Sequence, residues 1–288
     1  MIVDLSLGLR REEECEPPLD EQARVIQVPG VNLTYLDTGG MKPAVLLLHG
    51  GYLSHRVWQH QLPVLRDHYR VIAPDLRAHG RSGRAGRPYS VEQFAWDVAA
   101  LLEQLAVTQV HACGHSLGGM VALHLALLHP GAVRSLVLAE TSYGTRSTRW
   151  EALFTDTTRL LFRLANIRWL GRVFARSLAG QTPGIFGYVE EELSASLDDP
   201  ESFRAIWNAV ISFDARSRLG GVRQPTLVIV GERNRRTHAQ GRVFARLLPN
   251  ARHAVLPGAG HLLMLDRPQE FTALVLNFLA SQEEEPSS

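Results

Sequence analysis

The chain has 288 residues, 45% of them hydrophobic and 20% charged, with 30 Lys and Arg against 29 Asp and Glu for a formal net charge of +1. That length can bury one large domain or a core with an insert. The charge balance argues against nucleic acid or an anionic membrane as the main partner.

Cys15 and Cys113 lack the spacing of a disulfide framework or a metal site. No apolar stretch approaches the about 20 residues of a membrane span. The first residues, MIVDLSLGLRREEECEPP, do not place a basic segment before an apolar core, so a cytoplasmic location is the default expectation. Arginines cluster over Arg77–Arg87 and Arg233–Arg236 without interleaved aromatics, and both clusters read as solvated loops.

Residues 1–23 carry a charge run and Pro17-Pro18, the mark of an N-terminal extension. ARVIQVPG and VNLTYLDTGG read as two strands joined at Pro29-Gly30. AVLLLHG (44–50) and YRVIAPD (69–75) are short, continuously apolar strands. A helix follows, with Ser90 as its N-cap. QVHACGH (109–115) is a strand, LGGMVALHLALLHP a helix stopped at Pro130, and RSLVLAE (134–140) a strand.

Strands that are apolar throughout and separated by helices imply a parallel sheet covered on both faces. The alternation breaks over 142–214, where helical patterns appear in STRWEALFTDTTRLLFRLANI, RWLGRVFARSLAG and ESFRAIWNAVISF. It resumes with PTLVIVG (225–231), a helix over 238–248, the strand RHAVLPG and a helix over 268–280. The organisation expected is an α/β core over 24–141 and 215–281, a helical cap over 142–214 and a tail over 282–288.

Gly114-His115-Ser116-Leu117-Gly118 lies between a buried strand and a helix. G-x-S-x-G in that setting is a nucleophile elbow: the tight turn forces the serine into a strained conformation that presents Oγ. The Leu117 N–H then points above Oγ at the positive end of the helix. His49-Gly50-Gly51-Tyr52 ends an apolar strand, where the amide of Gly51 or Tyr52 can face that of Leu117 across an oxyanion. Gly258-Ala259-Gly260-His261 puts a histidine on a loop after the last strand, placed to take the serine proton. His49, His79 and His115 read as structural.

HGG, DLRAHGRS (75–82), GHSLGG, PTLVIVGE and PGAGH together resemble the α/β-hydrolase superfamily, in its serine esterase/lipase-like branch, over residues 24–280. The resemblance implies a mostly parallel eight-stranded sheet flanked by helices, with an inserted helical cap. It also implies loop-ordering roles for Asp75, Arg77 and Ser82. In that family the triad acid stands in G-x-x-D, but here the segment is Gly231-Glu232-Arg233-Asn234. Glu140, at the end of LVLAE, is the replacement expected from the strand order; Glu232 is its rival, and a weakened or absent acid is the third alternative.

The function expected is hydrolysis of a carboxylic ester, lactone or thioester through an acyl-enzyme on Ser116, with His261 as base and Glu140 as relocated acid. C–C cleavage, acyl transfer or elimination on the same scaffold is one alternative, and an inactive ligand-binding protein is another. The partner expected is a small acyl substrate, with no cofactor, metal, nucleic acid or membrane; a homodimer is compatible with the composition. The cap aromatics Trp150, Phe154, Phe162, Trp169, Phe174, Phe186, Trp207 and Phe213 are expected mostly to pack the cap onto the core, and the cap arginines to lie on solvated faces.

Overall fold

The structure, a computed structural model, describes residues 22–146, 149–179 and 185–283. The expected N-terminal extension and tail fall outside these residues apart from two positions each, as does Cys15. Eight strands form one sheet in the order β1-β2-β4-β3-β5-β6-β7-β8. They are β1 (Arg24–Val28), β2 (Val31–Asp37), β3 (Ala44–Leu48), β4 (Arg70–Pro74), β5 (Val110–His115), β6 (Val133–Ala139), β7 (Thr226–Gly231) and β8 (Ala251–Leu256).

β1–β2 and β2–β4 are antiparallel, and every other pair is parallel. The mostly parallel eight-stranded sheet expected from the motifs is therefore present. All residues of β3, β5 and β7 are buried, whereas most of β1 and β8 at the sheet edges is not. Helices α1 (Val91–Gln104) and α2 (Leu117–Leu128) pack against each other and cover the centre. Ser90 caps α1 by accepting from the Gln93 amide.

Between β6 and β7 come α3 (Arg149–Leu164), α4 (Ile167–Ala179), α5 (Phe186–Leu197) and α6 (Pro200–Ser212). The sequence reading has no helix at α5, because Gly187 and the run Glu190-Glu191-Glu192 obscure its apolar rhythm. That rhythm is Val189 and Leu193 at an i, i+4 spacing, and both are buried. After β7 follow α7 (Arg235–Leu247) and, beyond β8, α8 (Pro268–Glu283).

The cap aromatics divide. Phe162 and Phe213 are buried and Phe174 and Trp207 pack against the core, but Trp150, Phe154, Trp169 and Phe186 are exposed. One arginine also departs from its solvated reading. Arg77 is buried, with a bidentate pair to Asp97 (Nε–Oδ2 2.8 Å, Nη2–Oδ1 2.6 Å) and a bond to the Ala85 carbonyl. Only a carboxylate in that geometry offsets the loss of water around a buried guanidinium.

Candidate active site

The elbow is built from close contact. A Cβ added at Gly114 would stand 2.3 Å from the Gly118 carbonyl oxygen, and one at Gly118 would stand 2.1 Å from that of Leu48. No side chain fits at either crossing, so both glycines are required by packing. Between them Ser116 adopts φ 51°, ψ −115°, a strained conformation outside the left-handed helical well. The strain turns its side chain out of the sheet at the N-terminus of α2.

The sheet register brings a second residue to the same edge. His115 pairs with Ala139, and the Ser116 amide donates to the Ala139 carbonyl at 2.9 Å. Ser116 and Glu140 therefore leave neighbouring strands side by side. Glu140 also has a positive φ, 49°, and its carboxylate is buried.

Four donors converge on that carboxylate. The Gly231 amide donates to Oε1 and Asn234 Nδ2 to Oε2. Thr237 Oγ1 lies 3.0 Å from both oxygens, and His261 Nδ1 lies 3.1 Å from Oε2. Removing a carboxylate from water is tolerable when its oxygens are satisfied in this way.

Glu232 is placed differently. It is exposed, and its Oε2 accepts from the Gly258 amide at 2.8 Å, which ties the loop carrying His261. Asn234, standing where the family pattern has an aspartate, orients Glu140. Its Nδ2 also lies 3.2 Å from His261 Nδ1, a proximity that follows from sharing Oε2 as acceptor. In the sequence Asn234 is visible only as a departure from the family pattern and Thr237 not at all, because their shared partner Glu140 lies 94 and 97 positions away.

The loop of Gly50 and Gly51 is held from below. His49 Nε2 accepts from the Leu76 amide at 2.9 Å, which leaves Nδ1–H to donate to the Gly50 carbonyl at 2.8 Å. His115 Nε2 donates to the His261 carbonyl at 2.8 Å, and its ring lies against both the His261 ring and Gly50. It thus joins the elbow, the loop of Gly50 and Gly51 and the loop that carries His261.

A Cβ at Gly51 would stand 3.9 Å from Leu117 Cβ, so these two backbones are neighbours. Tyr52, at φ 65°, uses its side chain elsewhere: its hydroxyl donates to the Phe203 carbonyl at 3.0 Å and its ring stacks on Phe203 at 4.1 Å. It is a pillar between loop and cap.

Asp75 and Ser82 act as loop-ordering residues. Asp75 Oδ1 accepts from the His55 amide and ring, and Oδ2 from the Arg81 amide. Ser82 Oγ bridges the Asp75 carbonyl and the Thr34 amide. Among the described residues no cluster of three or more His, Cys, Asp or Glu is placed to hold a metal ion.

Ser116 and His261 line one cavity of about 50 Å³, together with Gly50, Gly51 and Leu117 below and Phe174, Leu178, Trp207 and Val210 of the cap above. Ser116, an imidazole hydrogen-bonded to a carboxylate and the neighbouring residues Gly51 and Leu117 thus meet in one small, apolar space.

The family model for the alpha/beta hydrolase fold matches residues 43–268. The chain belongs to this family. The hydrolase is 27% identical to the pimeloyl-[acyl-carrier protein] methyl ester esterase of Nitrosospira multiformis, over 85% of this chain and 97% of that one. It is 30% identical to a putative carbamate hydrolase of Yersinia enterocolitica, over 84% and 90%. Its fold superposes on the enol-lactonase of Burkholderia xenovorans with a TM-score of 0.80 and 26% identity, over 89% of this chain and all of that one. These relatives place it among hydrolytic enzymes of this fold.

Burial also gives the hydrolase an acid-sensitive core. Loss of water pushes His49 and His115 below the ordinary histidine range, and pushes His79 down to about 3 with help from the neighbouring His49. Between about 3 and 6.5 the unfolded chain binds protons that folded His79 refuses, so this stability is complete above 6.5 and is lost as pH falls. The melting temperature is expected to drop between pH 7 and about pH 4.5. His79→Phe, which keeps an aromatic ring beside His49, Tyr52 and Phe94, should shrink that drop. An equal drop in both proteins would remove His79 as its source.

Proposed function

We propose that the chain is a serine hydrolase of carboxylic esters, lactones or thioesters with a short, uncharged acyl group. The observation that carries this reading is the Glu140–His261 contact of 3.1 Å, in a site where His261 and Ser116 share one cavity. His261 Nε2 takes the Ser116 proton as Oγ attacks the acyl carbon, and Nδ1–H donates to Glu140, which stabilises the imidazolium. The amides of Gly51 and Leu117 receive the developing oxyanion. The alcohol or thiol leaves with the proton held on Nε2. Water, deprotonated in turn by His261, then releases the acid and restores Ser116.

The substrate class follows from the cavity. Its lining holds no Lys, Arg, Asp or Glu, and its volume of about 50 Å³ is far below that of pockets for drug-sized ligands. Glu140 directed at the imidazole favours catalysis over a ligand-binding role.

The test is p-nitrophenyl acetate against p-nitrophenyl octanoate, followed by product release and intact mass. The reading requires an acetyl adduct on Ser116, turnover, and preference for the acetate. A protein that never acylates would return the ligand-binding reading. One that acylates once and stalls would favour acyl transfer or elimination.

A further inference from the structure

We infer that the outward face of α3 and α4 docks the protein on an anionic lipid bilayer. Of fifteen exposed large apolar side chains among the described residues, nine lie between Trp150 and Phe186. On α3 they are Trp150, Leu153, Phe154, Leu160, Leu161 and Leu164, the i, i+3, i+4 recurrence of one helix face. The residues of α3 that are buried, Thr155 and Phe162, lie on a different face. Trp150 is 81% and Leu164 74% exposed. On α4, Trp169 and Val173 are exposed while Leu170, Ala175 and Leu178 face inward. Large apolar side chains gathered in this way on a folded surface mark an interaction site.

Charge selects the partner. α3 and α4 carry six arginines (149, 159, 163, 168, 172 and 176) and two acids, Glu151 and Asp156. Asp156 is already paired with Arg146 at 2.7 Å. The near-zero net charge of the whole chain therefore conceals an excess of arginine on these two helices, and the expectation of no membrane partner, drawn from the whole-chain balance, does not address this face. Trp and Leu interleaved with arginine on an amphipathic helix is the composition that settles into the headgroup region of anionic lipid. A second copy of the chain fits poorly, because a two-fold interface would set the arginine-rich face against itself. The same helix α4 sends Phe174 and Leu178 to the cavity beside Ser116, so the docked helix also roofs the reactive site.

The test is flotation of the full chain with vesicles of phosphatidylcholine alone or with about 30% phosphatidylglycerol. The anionic vesicles should bind at least about ten-fold more protein, and about 0.5 M salt should remove most of the difference. Trp150→Glu/Leu164→Glu, at exposed positions, should lower binding about ten-fold while the melting temperature stays put. Equal partition into the two vesicle types, binding untouched by the double variant, or a concentration-dependent dimer abolished by it would each overturn the inference. None of these readouts depends on hydrolysis, so the docking and the serine-hydrolase reading can fail separately.

Discussion

Glu140→Gln is expected to lower kcat on a short-chain ester by about 10⁴, the cost of the equivalent acid-to-amide change in a serine protease. The geometry gives the reason. Glu140 Oε2 is the acceptor within reach of His261 Nδ1 at 3.1 Å, and an amide there can orient the imidazole but cannot stabilise its positive form by charge. Unchanged turnover would sink the relocated acid and return attention to Glu232, although that side chain is engaged with the Gly258 amide.

Asn234 supplies a sharper form of the experiment. Its Nδ2 stands 3.2 Å from His261 Nδ1, so Glu140→Gln/Asn234→Asp puts a carboxylate back against the imidazole from the position the family pattern favours. The double variant should recover ~10-fold or more of the lost rate. Asn234→Asp alone should be impaired, because two carboxylates would then compete for one small buried site and cannot both ionise cheaply. A double variant no faster than Glu140→Gln would show that the acid cannot be moved.

Ser116→Ala is expected to lower kcat by about 10⁶, with adduct formation lost. The more discriminating expectation is non-additivity. Adding Glu140→Gln to Ser116→Ala should cost almost nothing more, because the acid acts only through His261 on a proton that the alanine variant no longer carries. A further large loss in the double variant would mean that Glu140 serves the reaction by another route, such as holding β7 and α7 in place through Gly231, Asn234 and Thr237. Comparing melting temperatures of the two single variants separates those cases.

The two predictions rest on different kinds of information. Ser116, His261 and the glycine loop at Gly50-Gly51 stand out as candidates in the sequence because their surroundings are fixed by local backbone demands. Gly114 and Gly118 are required where β5, α2 and β3 cross; Gly50, whose added Cβ would stand 2.6 Å from His115 Nδ1, is required under the elbow. Patterns of that kind survive in the residues themselves. The central strands were legible for a similar reason: continuous apolar runs bounded by turn residues leave little choice where a sheet is buried on both faces. Helix α5 was not, because a charged run interrupts the pattern that its buried positions obey.

Only the tertiary structure decided which acid faces His261. Glu140 and Glu232 are equivalent in type, and their difference comes from the register that pairs His115 with Ala139 and from the positive φ that turns Glu140 inward. The supporting donors Asn234 and Thr237 belong to the same decision. The facing of the cap aromatics was also undecided by composition, since a tryptophan that packs a core and one that stands exposed look alike in sequence. Local sterics write themselves into residue type at the site of the constraint; long-range pairing and exposure are properties of how distant segments meet, and they become readable only when the chain is folded.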